Sequence, residues 1–416
     1  MNKANLLIII SFFISSFLFA QEETSKLTYK FSGFVRTDYS FDTRQSVAAN
    51  EGLFFLYPKD AKYDDAGKDL NAVSNSGFYA FNSRVALDVA GLQLCEADLS
   101  AKIEADFAGY SGSSTLLRIR RAFMKMKWEH SSLLLGQEWH PMFGGVTPGV
   151  LSLNVGAPFN PFNRSPQITF DYKVENVTFS GSALWEFQYA STGPNGKSHI
   201  YQRNANLPEF CLGVNYKYNQ FIVGANVDYL TLKPRTQSSV QSSNREILTF
   251  KVDEKLSSIS YGAYLGYTTG LFSASAKTIL GQNPADMSML GGFGISKIDP
   301  ETGEQEYTNF KHSSSWVNLS YGKKYAVNIF AGYTKNLGTQ DALVSYTTYG
   351  EGLNIENLYR LSGSFSYNIP KFLIGLEYEF SNAAYGDGSF NLSDGLYSDT
   401  RDIKGHRIMA VVSYIF

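Results

Sequence analysis

The chain has 416 residues and is close to neutral, with 36 Lys and Arg against 38 Asp and Glu. That balance argues against nucleic acid as a partner, and two cysteines, Cys95 and Cys211, are too few for a disulfide scaffold. Tyr (27), Phe (31) and Gly (36) are abundant, as in a sheet protein with one apolar and one polar face.

Residues 1–20 read as a cleaved secretory signal. Lys3 supplies the positive start, an apolar run follows, and Ala20 precedes the polar Gln21-Glu22-Glu23. No later run reaches the roughly 18 apolar residues a spanning helix needs. Residues 21–416 are expected to form a single domain.

From residue 27 the period is two. In 27–40, Tyr29, Phe31, Val35 and Tyr39 alternate with Lys30, Arg36 and Asp38. Segment 78–90 sets Phe81, Val85, Leu87 and Val89 against Asn82, Arg84 and Asp88, and 97–107 sets Leu99, Ile103 and Phe107 against Asp98, Lys102 and Glu104. Residues 116–172 read as two strands, a long loop and a third strand. The loop from Pro141 to Asn163 carries no charged side chain, yet it is rich in Gly, Pro and apolar residues. A disordered segment would be polar, so this loop is expected to pack inward against a hollow wall and constrict it. The third strand runs over 167–175, and further strands follow at 177–189, 209–218, 221–232, 257–267, 271–280, 313–321, 325–335, 357–368, 371–381 and 405–416.

Long connections alternate with short ones; the short 110–114 connection on the long side is the exception. The sum is an all-β fold: a transmembrane antiparallel β-barrel of about 16 strands, with long outer loops and short periplasmic turns. In lipid every backbone N–H and C=O must be paired within the protein, and a closed sheet achieves that. Tyr29, Tyr39, Tyr172, Tyr189, Tyr218, Tyr267, Tyr321, Tyr333, Tyr367 and Tyr378 are expected in the aromatic girdles. The final stripe Ile408, Ala410, Val412, Tyr414 and Phe416 resembles the terminal strand that the barrel-insertion machinery reads.

Several passages resemble the DcaP-type trimeric porins of Gram-negative outer membranes. They are GFVRTDYSFDTR at 33–44, SRVALDV at 83–89, IEADFAG at 103–109, LRIRRAF at 117–123, LLLGQEWHPMF at 133–143 and RSPQITFDY at 164–172. The resemblance covers about the first 140 residues after the signal. It implies a homotrimeric channel in the outer membrane, through which small hydrophilic solutes diffuse passively. Its best-known members prefer anions.

By strand parity Arg36, Arg84, Arg118, Arg120, Arg360 and Arg407 face the lumen, and a bulge near Arg121 would bring Arg118, Arg120 and Arg121 inward together. Glu138 and Asp171 are the acids nearest the loop, and Arg164 closes it. These ten residues are the expected pore lining. A positive eyelet without facing acids predicts a mild anion preference. The opposing reading is that each Arg pairs with a lumen acid such as Asp38, Asp88, Glu104, Asp106, Glu377 or Glu379. The five histidines lack pairwise metal-ligand spacing, so neither metal nor cofactor is expected. Nothing marks a nucleophile elbow or a triad; a barrel enzyme and a plugged structural or adhesion barrel are the alternatives.

Overall fold

The structure, a computed structural model, describes residues 27–109 and 116–416. The expected signal at 1–20 and the 110–114 connection lie outside the described residues. Among the described residues, sixteen strands make the wall: β1 (Thr28–Asp42), β2 (Arg84–Leu94), β3 (Ala97–Asp106), β4 (Arg118–Lys127), β5 (Ser131–Trp139), β6 (Arg164–Val174), β7 (Val177–Leu184), β8 (Glu209–Tyr218), β9 (Phe221–Leu232), β10 (Leu256–Thr269), β11 (Phe272–Gln282), β12 (Gln305–Gly322), β13 (Tyr325–Thr339), β14 (Ile355–Ile369), β15 (Phe372–Asn391) and β16 (Leu396–Ile415). Each pairs antiparallel with the next. The seam closes between β1 and β16, in register from Phe34 opposite Ile415 to Asp42 opposite Arg407.

Side-chain alternation explains why this sheet curls shut in lipid. On β1, Tyr29, Phe31, Val35 and Tyr39 point out, while Asp38, Ser40 and Asp42 are buried inside. On β12, Val317, Leu319 and Tyr321 are exposed and Trp316 and Asn318 are buried. The same split runs round the wall and leaves a continuous apolar outer belt. A patch that large is foreign to a soluble monomer; on a barrel it is the lipid-facing surface. No helix among the described residues is long and apolar enough to cross a membrane.

Several boundaries differ from the sequence reading, for physical reasons. The segment expected at 78–90 is two strands, Asn75–Tyr79 and β2, both paired to β1. Strand β12 has 18 residues and β15 and β16 have 20 each, well beyond the expected 313–321, 371–381 and 405–416. Past the membrane the outer face need not be apolar, so the alternation fades while the hydrogen-bond ladder runs on, from Phe372 opposite Tyr414 to Asn391 opposite Leu396. Strand β7 ends early, at Leu184. Beyond it the alternation holds through Phe187, with Trp185 and Phe187 exposed and Glu186 buried, but Tyr189, expected in the girdle, meets the Phe162 ring edge-on inside instead. One short helix, α1 (Ile200–Ala205), lies in the connection that follows.

The largest departure concerns the 41–77 connection, expected as an outer loop. Its strands Ser46–Ala49 and Phe54–Pro58 pair as a hairpin, and Leu53, Phe54, Phe55 and Tyr57 are buried. The Tyr385 hydroxyl on β15 donates to the Pro58 carbonyl at 3.0 Å. An apolar run, Leu53-Phe54-Phe55-Leu56-Tyr57, has no reason to stay in water, and the lumen offers it cover. Two segments therefore fill the barrel where one was expected.

Candidate functional site

The neck of the 141–163 loop is closed by the His140 amide, which donates to the Asn163 carbonyl at 3.0 Å. From there the loop reaches across the lumen. Lacking charges of its own, it has its backbone satisfied by charges on the wall. Lys277 on β11 spends all three ammonium protons on the carbonyls of Met142, Phe143 and Gly144, at 3.0, 2.8 and 2.9 Å. Glu377 on β15 accepts the amides of Leu151 and Ser152 at 2.7 and 3.2 Å. Arg36 donates to the Leu151 carbonyl at 2.7 Å and Arg360 to that of Ala157 at 2.9 Å. Asn318 accepts the Gly149 amide at 2.9 Å. Apolar contacts complete the seat: Phe159 lies fully buried against Phe330 and over Gly332, where an added Cβ would stand 2.5 Å from its ring.

Of the arginines expected on the wall, Arg36, Arg84, Arg118, Arg120 and Arg121 are gathered on β1, β2 and β4. Opposite Glu104 and Ala105 the register skips Arg120, so β4 bulges there, and Arg118, Arg120 and Arg121 all find carboxylate partners. Arg118 grips Asp106 with two nitrogens, at 3.0 and 2.9 Å. Arg120 bridges Glu104 at 2.9 Å and Asp106 at 2.6 Å. Arg121 pairs with Glu138 at 2.7 Å. Arg36 is held by Asp38 at 2.8 and 2.6 Å. Arg84 has only a 3.3 Å contact with Glu104 and lies over the Phe34 ring. The expected pairing with lumen acids is thus present for most of them.

Arg164 is different. It is fully buried, and among the described residues no carboxylate lies within ion-pair distance. Its guanidinium sits 4.7, 5.4 and 5.3 Å from the rings of Trp139, Phe162 and Tyr189, and it donates to the Tyr189 hydroxyl at 2.7 Å. Aromatic faces stabilise a desolvated guanidinium while leaving its charge uncancelled. Asp171 stands apart from the arginines, accepting from Ser132 and Ser180 at 3.0 and 2.7 Å. Arg360 and Arg407 lie under the Phe54–Pro58 strand, 4.9 and 5.4 Å from the Phe55 ring. Arg407 pairs with Asp42 at 3.3 Å and Arg360 with Glu379 at 3.6 Å.

Two chambers remain open. An outer vestibule of about 710 Å³ is bounded by Val47–Asn50, Arg118, Tyr189, Lys197 and Glu351. An inner one of about 220 Å³ lies between the loop, at Val150–Leu153, and Arg36, Arg84, Arg118 and Arg120. Asn50, Phe54, Arg118 and Tyr189 border both. Among the described residues, no carboxylate side chain lines the inner chamber.

No family profile matches the chain, and no curated protein matches it in sequence. Solved structures do match. The outer membrane channel DcaP of Acinetobacter baumannii superposes with a TM-score of 0.66 at 16% identity, over 95% of this chain and 99% of that one. This chain has the fold of that channel. OmpT of Vibrio cholerae, an outer membrane protein, superposes at 0.55 and 11% identity in its in-vitro folded form, over 94% and 98% of the two chains. Its trimer form gives 0.54 at 13% identity, over 94% and 99%. The fold implied by the sequence resemblance is therefore present along the whole barrel, including the later strands that carried no motif. Within this channel fold, sequence reasoning missed Lys277 as an anchor of the loop and Tyr189 as part of the Arg164 box. Lys277 was legible only as an inward cation among small residues, and Tyr189 lies beyond the end of its strand.

Proposed function

We propose that the protein is an outer-membrane porin of a Gram-negative bacterium. It forms a water-filled path for passive diffusion of small hydrophilic solutes and prefers anions mildly. The observation that carries the reading is the inner chamber, lined by Arg36, Arg84, Arg118 and Arg120 and by no carboxylate, inside a closed sixteen-stranded wall. A sheet of that size leaves an aqueous interior unless segments fill it. Fixed positive charge along the inner chamber lowers the entry cost for anions and raises it for cations. The acids behind the arginines cancel much of that field, so the preference is mild. A homotrimer with its apolar belt in lipid is the expected assembly, in line with the trimer form of a structural neighbour.

A second reading, a plugged barrel, has its own support: the Phe54–Pro58 hairpin and the 141–163 loop both occupy the lumen, and the inner chamber is small. Reconstitution in planar bilayers separates the two. The porin reading expects stepwise conductance, with a reversal potential of anion-selective sign in a salt gradient. Silent membranes containing correctly folded protein would leave the plugged barrel standing, and a cation-selective channel would overturn the anion preference alone.

A further inference from the structure

Five buried groups meet where the neck of the 141–163 loop touches the wall, and they take no part in the pore reading. His140, directly after β5, places Nε2 2.9 Å from Glu209 Oε1 on β8 and 3.7 Å from Asp228 Oδ1 on β9. One ligand atom from each of the three lies within 4.8 Å of the others. Asp286 and Glu186 stand nearby. All five are buried, at 0% exposure for His140, Glu209 and Asp286, 2% for Asp228 and 4% for Glu186. Among the described residues no Lys or Arg forms an ion pair with any of the four carboxylates.

An acidic cluster by itself does not make a site. Here, however, each carboxylate keeps one buried oxygen without a hydrogen-bond partner: Glu209 Oε2, Asp228 Oδ1, Asp286 Oδ1 and Glu186 Oε2. The other oxygens of Glu209, Asp286 and Glu186 are engaged, that of Glu209 by His140. Asp286 Oδ2 accepts from Asn163 at 3.2 Å, and Glu186 Oε1 from the Ser191 hydroxyl at 2.6 Å. Buried polar atoms are almost always satisfied, and four buried carboxyl groups beside one imidazole must be neutralised either by protons or by a bound cation.

We infer that His140, Glu209 and Asp228 form a divalent transition-metal site at the root of the constriction loop. Asp286 and Glu186 supply the surrounding negative charge. One imidazole with carboxylates, and the Cys211 thiol opposite Asp228 in the β8–β9 register, suit a borderline ion of the zinc class better than Ca²⁺ or Mg²⁺, which prefer all-oxygen shells. Loading displaces to solvent the protons that the buried Glu209 and Asp228 carboxyl groups hold in the ion-free site. In the ion-free arrangement Nδ1 accepts the Met142 amide at 3.2 Å, so the ring proton sits on Nε2, shared with Glu209. Binding through Nε2 moves that proton to Nδ1 and gives up the weak Met142 contact. The ion thereby ties loop to wall at the expense of one backbone bond. The inference is independent of what passes through the channel.

The test starts from the whole protein in detergent. After exposure to Zn²⁺ and dialysis against metal-free buffer, elemental analysis is expected to find about one ion per chain. A strong chelator should remove it and lower the unfolding temperature, and added Zn²⁺ should restore both. Co²⁺ in its place should give a visible absorption spectrum of a low-symmetry site. Glu209→Gln should weaken retention by about tenfold or more, with heat-dependent gel migration reporting whether that variant is folded. Wild-type protein that keeps no metal, and whose unfolding temperature ignores Zn²⁺ and chelator alike, would overturn the site and leave the carboxylates holding protons. So would a folded Glu209→Gln variant that retains a full equivalent.

Discussion

Arg84 and Arg120 share one wall, yet removing their charges should have different consequences. Arg84 is the less constrained. Its side chain is 26% exposed, its ion contact is long, and its Nε has no hydrogen-bond partner. Arg84→Gln is therefore expected to keep the barrel intact and move the reversal potential in a salt gradient toward cations. An unchanged potential would mean that this charge is already neutralised by Glu104. Arg120→Gln removes a guanidinium held between Glu104 and Asp106, both buried. The expected cost is about 3 kcal/mol, read as a lower denaturant midpoint, and a midpoint equal to wild type would show that Arg118 alone can hold Asp106. Strand parity made these pairs legible, because residues two apart on β4 must face the acids on β3. The box around Arg164 was not legible: Trp139, Phe162 and Tyr189 come from a strand end, a loop and a segment past its strand. Nor was the contact of His140 with Glu209, which only the curl of the sheet brings about.

At the scale of elements, the absence of charge in the 141–163 loop already implied that it leaves water. The sequence did not say what would hold it, since the anchors lie on strands far along the chain. Glu377 accepts two loop amides, and hydrogen bonds to a charged group contribute about 1.5–3 kcal/mol each. Glu377→Leu should loosen that stretch and give noisier open-channel current, without loss of assembled barrel. Quiet current would show that Lys277 and the apolar seat suffice. Gly332→Val tests the seat itself. The new side chain would displace the Phe159 ring, so single-channel conductance should rise, and an unchanged conductance would place the narrow point elsewhere. The hairpin of Ser46–Ala49 and Phe54–Pro58 carried a readable signal in the five apolar residues Leu53–Tyr57, but that signal was absorbed into the general expectation of outer loops. Periodicity locates strands and is silent about which connections fold inward.

The whole barrel was the most legible level. Sixteen segments of period two gave the strand number, and the shared rule of apolar outside and polar inside holds from β1 to β16. A closed sheet has no free edge for detergent or another chain to attack, so unboiled protein should run faster in a detergent gel than boiled protein; identical migration would contradict closure. Phe416 lies beside the seam, exchanging backbone hydrogen bonds with Gly33 at 3.2 and 3.0 Å and stacking on Phe31. Phe416→Asp should reduce the amount of assembled protein in the outer membrane, and normal yields would remove the role assigned to this residue. Any anion preference should shrink as salt rises from about 0.1 M, where the screening length is about 10 Å, toward 1 M, where it is about 3 Å.

The seam has a bearing on timing as well. The pairing of Arg36 with Ser413 joins opposite ends of the described chain, and until it forms β1 and β16 both present open edges. No shorter stretch of the sheet can hide its own backbone from lipid. Closure therefore waits for the last strand, and until then the edges of β1 and β16 stay open to any other strand that meets them.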